Sequence, residues 1–269
     1  LTRQPEFQGF LDMVNASGRV RNLPRLIADV YKGLVCSHAD MAMMTRRYPR
    51  ELAYALALTE TTDHCSATPG WVLHQFPAVE HVMALLRETP CRKGCAYCDQ
   101  KLDIHRNLKK FFGHTEFRAY EGEPLQEQAC QAAIEGKSLL AIFPTGGGKS
   151  LTFQLPALIE GQAAHGLTVV ISPLLSLMKD QVDKLAEHGI TEVATINGLL
   201  DPITRANSIQ RVRDGAVSLL YIAPEMLRSK TVERILMARH VVRFVIDEAH
   251  CFSAWGQDFR VDYMYIAHF

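Results

Sequence analysis

Apolar residues fall into two regimes along this chain. Over roughly the first hundred positions they recur at helical spacing, in LPRLIADVYKGLV (23–35), RELAYALALTE (50–60) and PAVEHVMALLRET (77–89), with Pro69 and Gly70 marking a turn. Further on, short unbroken apolar runs take over. LLAIF at 139–143 and VVRFVID at 241–247 are dense enough to be buried on both faces, as strands of a parallel sheet are. Strands are expected near 139–143, 168–172, 218–222 and 242–247, and a helix begins near Lys149 in SLTFQLPALI. The pattern predicts a three-layer α/β domain with a parallel sheet over 105–269, preceded by a mainly helical accessory domain over 1–104. A basic helix near KLDIHRNLKKFF (101–112) connects them, and its charges read first as a solvated face.

Composition narrows the class without choosing a function. At 269 residues, 48% hydrophobic and zero formal net charge, the chain has the makings of a globular protein of one or two domains. Any surface for nucleic acid must be local, because there is no overall basic excess to supply it. The sequence shows no signal peptide, no bilayer-length apolar stretch, no repeat and no low-complexity tract. It opens on Leu1 rather than Met, which suggests a fragment.

The first chemical signal is FPTGGGKS at 143–150, between an expected strand and an expected helix. Gly146, Gly147 and Gly148 let the backbone wrap phosphate oxygens at the positive end of a helix. Lys149 would reach the outer phosphates, and the Ser150 hydroxyl would hold Mg2+. The strict phosphate-loop pattern asks for a first glycine where Phe143 stands, so this is a variant that loses a turn residue but no phosphate ligand.

The second signal, DEAHCFSAWGQDF at 247–259, follows a strand-like run, which places Asp247 at the carboxyl end of a strand. Two adjacent acids repel each other unless a cation joins them. Asp247 would hold Mg2+ and Glu248 would polarise the attacking water. His250 reads either as a residue coupling nucleotide state to motion or as an ordinary satisfied histidine. Beyond it Phe252, Trp255 and Phe259, spaced by Gly256 and followed by Arg260, offer planar faces on which unpaired bases stack regardless of sequence. Burial of the same rings in a core is the alternative.

Over roughly 106–269 these motifs resemble the RecQ-type DNA helicases of superfamily 2. FPTGGGKSLTFQLPAL is similar to that family's phosphate loop and helix, VVISPLLSLMKDQVDKL (169–185) to its motif Ia, and LLYIAPEML (219–227) to its next strand-borne motif. DEAHCFSAWGQDFRVDY is similar to its metal-binding motif fused to the aromatic loop, the most specific of the four. The resemblance implies a RecA-like P-loop fold and an ATP- and Mg2+-dependent 3′–5′ helicase that couples hydrolysis to single-strand translocation and duplex unwinding. Its implied partner is single-stranded or forked DNA in repair or recombination, without a membrane, and its implied setting is the cytoplasm, or the nucleoid in a bacterium. Repair or defence proteins are further partners to consider.

The same resemblance carries roles onto individual residues. Lys149, Asp247, Glu248 and His250 form the catalytic set, and Gln126 reads adenine beside a nucleotide pocket of Thr145, Gly146, Gly147, Gly148, Lys149, Ser150 and Asp247. Ser172, Pro173, Ser176 and Lys179 lie along a strand backbone, with Phe252, Trp255, Phe259 and Arg260 as the stacking loop. One departure is visible: AYEGEPL separates FGHTEFR (112–118) from Gln126, leaving Phe117, Arg118 and Tyr120 as candidates to stack on adenine. The motor domain is also expected to be truncated at its carboxyl end and to lack the second motor domain, so the isolated fragment should not unwind DNA.

Within the helical region CRKGCAYC sets Cys91, Cys95 and Cys98 within eight residues, a spacing that suits a metal ion or cluster better than a packed helix. Cys65 is the natural fourth ligand, with Cys36, His38, His64 and His105 as substitutes. Zn2+ and an iron-sulfur cluster both stay open. Disulfides are disfavoured for a motor working among reduced thiols, and Cys130 and Cys251 read as small core residues. The spacing also resembles the cluster motif of radical SAM enzymes, but the chain that would have to form their barrel is taken by the ATPase motifs. Two alternatives to the helicase remain: a duplex translocase or RNA remodeller, and a nonenzymatic metal-containing module that binds nucleic acid.

Overall fold

A computed structural model describes residues 23–59, 68, 70–91, 94–144 and 146–250. It divides into two compact units, Leu1–Asp103 and Ile104–Phe269. The aromatic loop, Thr145, Cys65, His64 and Cys251 lie outside the described residues.

The first unit is helical. Its elements are α1 (Leu23–Val30), α2 (Met41–Arg47), α3 (Pro49–Thr59), α4 (Gly70–Gln75) and α5 (Val79–Arg87). Asp40 caps α2 by accepting from the Met43 amide at 2.8 Å, and Pro49 opens α3 at a position where a missing N–H costs nothing. Ile27, Met44, Leu52, Leu56, Val82 and Leu86 are buried, so the apolar stripes read from the sequence meet in one core. Past α5 the chain turns through Cys91–Cys98 into one turn of π-helix, Cys98–Leu102.

The second unit begins with α6 (Ile104–Phe112) and α7 (Leu125–Ile134). Helix α8 (Leu151–Ala164) follows the glycine loop, and then strands and helices alternate: β1 (Leu167–Ile171), α9 (Leu175–Glu187), β2 (Val193–Ile196), α10 (Pro202–Arg213), β3 (Leu219–Ile222), α11 (Lys230–Met237) and β4 (Val241–Ile246). The strands form one parallel sheet in the order β2-β3-β1-β4. Side chains alternate across it. Leu167, Val169 and Ile171 face a core with Val212, Val232 and Ile235 from α10 and α11, whereas Val170, Leu219 and Tyr221 face Leu158 and Met178 from α8 and α9. The result is the expected three-layer α/β architecture, and β1 and β3 are buried throughout.

Three of the four expected strands are present, and one expectation is corrected. Residues 139–143 are not a strand. They run as unpaired chain, with Leu140 77% and Ile142 79% exposed. An apolar run becomes a strand only where a sheet edge pairs with it. Here the run bridges two anchored points, a turn closed by Lys137 N to Ala132 O at 2.9 Å and the clamped glycine loop, without pairing to β4. Conversely β2 was not expected, because its four residues are too short a run to stand out from the flanking polar chain.

One polar contact fixes β4. Arg243 donates to both Glu160 carboxylate oxygens at 2.8 Å, and its second nitrogen also reaches the Ala133 carbonyl at 2.6 Å. The Glu160 side chain is 4% exposed, so the carboxylate depends on this fork. Arg243→Ala takes both charge-assisted bonds from that buried carboxylate and should destabilise the second unit by about 3 kcal/mol in urea unfolding. Replacing both partners, Arg243→Met with Glu160→Leu, should recover most of the loss; an equal loss in the double variant would refute the pairing account.

Candidate functional site

The glycine loop is held from outside by its carbonyls. Arg118 donates to Gly146 O at 3.0 Å, the Tyr120 hydroxyl donates to Gly147 O, and Gln126 Nε2 donates to Gly148 O at 3.0 Å. Because a peptide unit is planar and trans, its carbonyl and the next N–H point in opposite directions. Three clamped carbonyls therefore turn the Gly148 and Lys149 amides to the other side of the loop, the orientation a phosphate cradle requires. Gly148 has φ +71°, and a Cβ there would stand 2.7 Å from Gln126 Nε2, so the position needs glycine twice over.

The extra residues before Gln126 have a structural use. Tyr120 and Glu123 pair backbone to backbone at 2.8 and 2.9 Å around Glu121 and Gly122, both at positive φ, which makes a tight hairpin. That turn sets Arg118 and Tyr120 against the loop. Gln126 is 2% exposed, and both ends of its amide are occupied, Oε1 accepting from Arg118 N at 2.9 Å and Nε2 donating to Gly148. Phe117 packs edge-on against His105, whose Nε2 lies 2.9 Å from Glu127. The sequence offers Arg118 and Tyr120 as stacking partners for adenine; in the structure both reach the carbonyls of the glycine loop, a contact that carries no local sequence signal.

Lys149 stands ahead of α8, and Asp247 stands directly after β4, its amide bonded to Ile171 O at 3.0 Å. Both line one cavity of about 900 Å3, together with Glu248, His250, the exposed run 139–143 and the outer edge of β4. The two sequence signals thus line one space, which runs along the outer edge of β4 to its carboxyl end. Burial raises the Asp247 carboxyl above its usual range, the Glu248 carboxylate adds to the rise, and Lys149 and the nearby Ser172 hydroxyl oppose it. Glu248 is left-handed, φ +51°, with its amide 3.0 Å from Asp247 Oδ1. His250 is largely exposed, with Nδ1 3.1 Å from Glu248 Oε2.

Ser172 follows β1 and is buried, Pro173 is half-buried, and Ser176 and Lys179 are exposed one turn apart on α9. Ser150 precedes α8, where its carbonyl accepts from Gln154 N at 2.9 Å. In the first unit Cys91, Cys95 and Cys98 come together with Cys36, the four sulfurs lying within 4.8 Å of one another. His38 is exposed and bonded to Ser37, and Cys130 is buried, as a small core residue would be.

Residues 123–269 match the DEAD/DEAH box helicase family. The chain belongs to that family. It is 40% identical over 160 residues to the probable ATP-dependent DNA helicase RecS of Bacillus subtilis (strain 168), covering 60% of this chain and 30% of that protein. It is 44% identical over 157 residues to the ATP-dependent DNA helicase RecQ of the same organism, covering 58% and 25%. To the ATP-dependent helicase SGS1 of Saccharomyces cerevisiae it is 39% identical over 156 residues, covering 56% and 11%. The chain thus spans less than a third of the length of these relatives, and the RecQ-type resemblance read from the motifs agrees with their names. Among the described residues no helix is long and apolar enough to cross a membrane.

The raised Asp247 carboxyl has a consequence for stability. A carboxyl whose folded-state pKa is raised opposes folding at neutral pH, and the penalty is relieved as pH falls and the group takes up its proton. Asp247→Asn should therefore raise the thermal midpoint of the nucleotide-free, Mg2+-free protein at pH 7, with an advantage that shrinks toward acid pH. It should also abolish any further rise on adding Mg2+ and ATP. A lower midpoint at neutral pH in differential scanning calorimetry would contradict this.

Proposed function

We propose that the protein is an ATP-dependent DNA helicase of RecQ type, coupling hydrolysis to 3′–5′ movement along a single strand and to unwinding of forked duplex. The observation that carries the proposal is the convergence of Lys149 and the Asp247–Glu248 pair on one cavity. Strand polarity and the choice of DNA follow from the likeness to RecQ-type helicases.

In this reading the loop amides and Lys149 receive the β- and γ-phosphates of ATP. Ser150 and Asp247 would hold Mg2+, which would supply positive charge beside the phosphates. Glu248 accepts the proton of the attacking water, and the 3.1 Å contact between His250 and Glu248 supports a role for His250 in sensing that change of charge. Gln126, supported by Arg118, Tyr120 or Phe117, exchanges a bond to the loop for one to adenine, which ties base recognition to the shape of the cradle. Ser172, Pro173, Ser176 and Lys179 border the single strand, and Phe252, Trp255, Phe259 and Arg260 supply stacking faces and a phosphate contact.

The test compares ATP hydrolysis by the full-length protein with single-stranded DNA, duplex DNA and RNA. Stimulation should be strongest with single-stranded DNA, and Lys149→Ala and Glu248→Gln should each lower the stimulated rate at least about a hundredfold. Trp255→Ala should reduce the DNA stimulation while sparing the basal rate. Stimulation by RNA or by duplex alone would overturn the proposal in favour of a remodeller or a duplex translocase.

A further inference from the structure

We infer that Cys36, Cys91, Cys95 and Cys98 form a structural site for a single tetrahedral metal ion of the zinc class, which staples the helical unit. The first argument is the gathering itself. Cys36 lies far from the other three in sequence, yet all four sulfurs lie within 4.8 Å of one another. Around one ion with metal–sulfur bonds of about 2.3 Å, tetrahedral thiolates stand about 3.8 Å apart, so this spacing closes with a small contraction. A four-iron cube places iron and sulfide layers between its thiolates and would drive them well beyond the observed spacing.

The second argument is the backbone around the sulfurs. The Cys98 amide donates to Cys95 Sγ at 3.4 Å and the Cys91 amide to Cys98 Sγ at 3.5 Å, bonds that favour thiolate over thiol. Gly94 permits the turn: a Cβ there would meet the Asp99 carboxylate at 3.1 Å. Cys36 comes from the loop after α1, its amide bonded to Leu86 O at 2.9 Å near the end of α5. Two loops are thus pinned before any ion binds.

The third argument is charge. Four thiolates around a divalent ion leave a net double negative charge. Arg87 sits over the ring of Tyr97, the neighbour of Cys98, at 5.3 Å, and Arg87 Nε is buried with no hydrogen-bond partner. A guanidinium held over the ring that adjoins Cys98 in the chain brings positive charge to the same segment, which suits an anionic centre. The gain is mechanical. A helical unit of this size has a limited core, and the ion ties the loop after α1 to the segment after α5.

The test measures metal in the intact protein after purification without chelator. The expected result is about one zinc per chain, released when a mercurial titrates the thiols, in colourless protein. Exchange into Co2+ should give the intense d–d bands of a tetrahedral site with sulfur-to-metal charge transfer. Cys36→Ser should weaken that charge transfer and lower zinc affinity at least about tenfold, while Cys65→Ser leaves both unchanged. Should Cys36→Ser fail to fold, the mercurial titration of the parent protein still decides. Iron with acid-labile sulfide, thiols that titrate without releasing metal, or loss of the site in Cys65→Ser would each overturn the assignment.

Discussion

The fork between Arg243 and Glu160 is the constraint on which the cavity depends. Lys149 and Asp247 are far apart in sequence, and each is carried at the end of an element that could slide along its neighbour. Lys149 leads into α8, which carries Glu160, and Asp247 ends the strand that carries Arg243. Two parallel hydrogen bonds at 2.8 Å resist both sliding and rotation, as a single apolar contact would not, and the third bond to Ala133 O brings α7 into the same joint. Since α7 carries Gln126, the loop clamp, the lysine and the acids share one frame. Hydrophobic burial holds the layers together; the fork sets their register.

Given that frame, the site is electrostatically unfinished. Two carboxylates side by side, one of them largely removed from water, raise each other's cost, and the left-handed backbone at Glu248 adds strain of roughly 1–2 kcal/mol. Lys149 offsets part of this cost at Asp247. A Mg2+-bound triphosphate would complete the balance, because the cation pairs with the acids and the phosphates pair with the lysine and the loop amides. Arg118, Tyr120 and Gln126 contribute from behind, fixing the direction of the amides without occupying the face a phosphate would take.

Much of this was legible in the sequence, and the gaps have physical causes. The buried strands β1 and β3 were visible because both of their faces are covered, and β4, half-buried at the sheet edge, because its run is apolar apart from Arg243. The same signal misled at 139–143, where apolar character was present but pairing was not, and hydropathy cannot report a hydrogen-bonding partner. The phosphate loop and the acids stood out because their chemistry demands rare residues in fixed order. The clamp did not, since it depends on a hairpin whose only trace is Glu121-Gly122, and the Arg243–Glu160 fork leaves no local signature at all. For the cysteine cluster the sequence offers Cys65 as fourth ligand with Cys36 among the substitutes; Cys65 lies outside the described residues, and among those described it is Cys36 that gathers with Cys91, Cys95 and Cys98.

The chain as proposed uses two cations that must not exchange places, and ligand chemistry alone is enough to keep them apart. Carboxylate, hydroxyl and phosphate oxygens are hard ligands that suit Mg2+, which keeps part of its water shell and leaves with the nucleotide. Four thiolates are soft ligands, favour zinc strongly and leave no open coordination position. A closed site cannot activate water, and an open oxygen site cannot act as a permanent staple. In the proposed reading function divides along the same line as sulfur and oxygen: the first unit would hold a cation in order to stay folded, and the second would turn one over with every ATP.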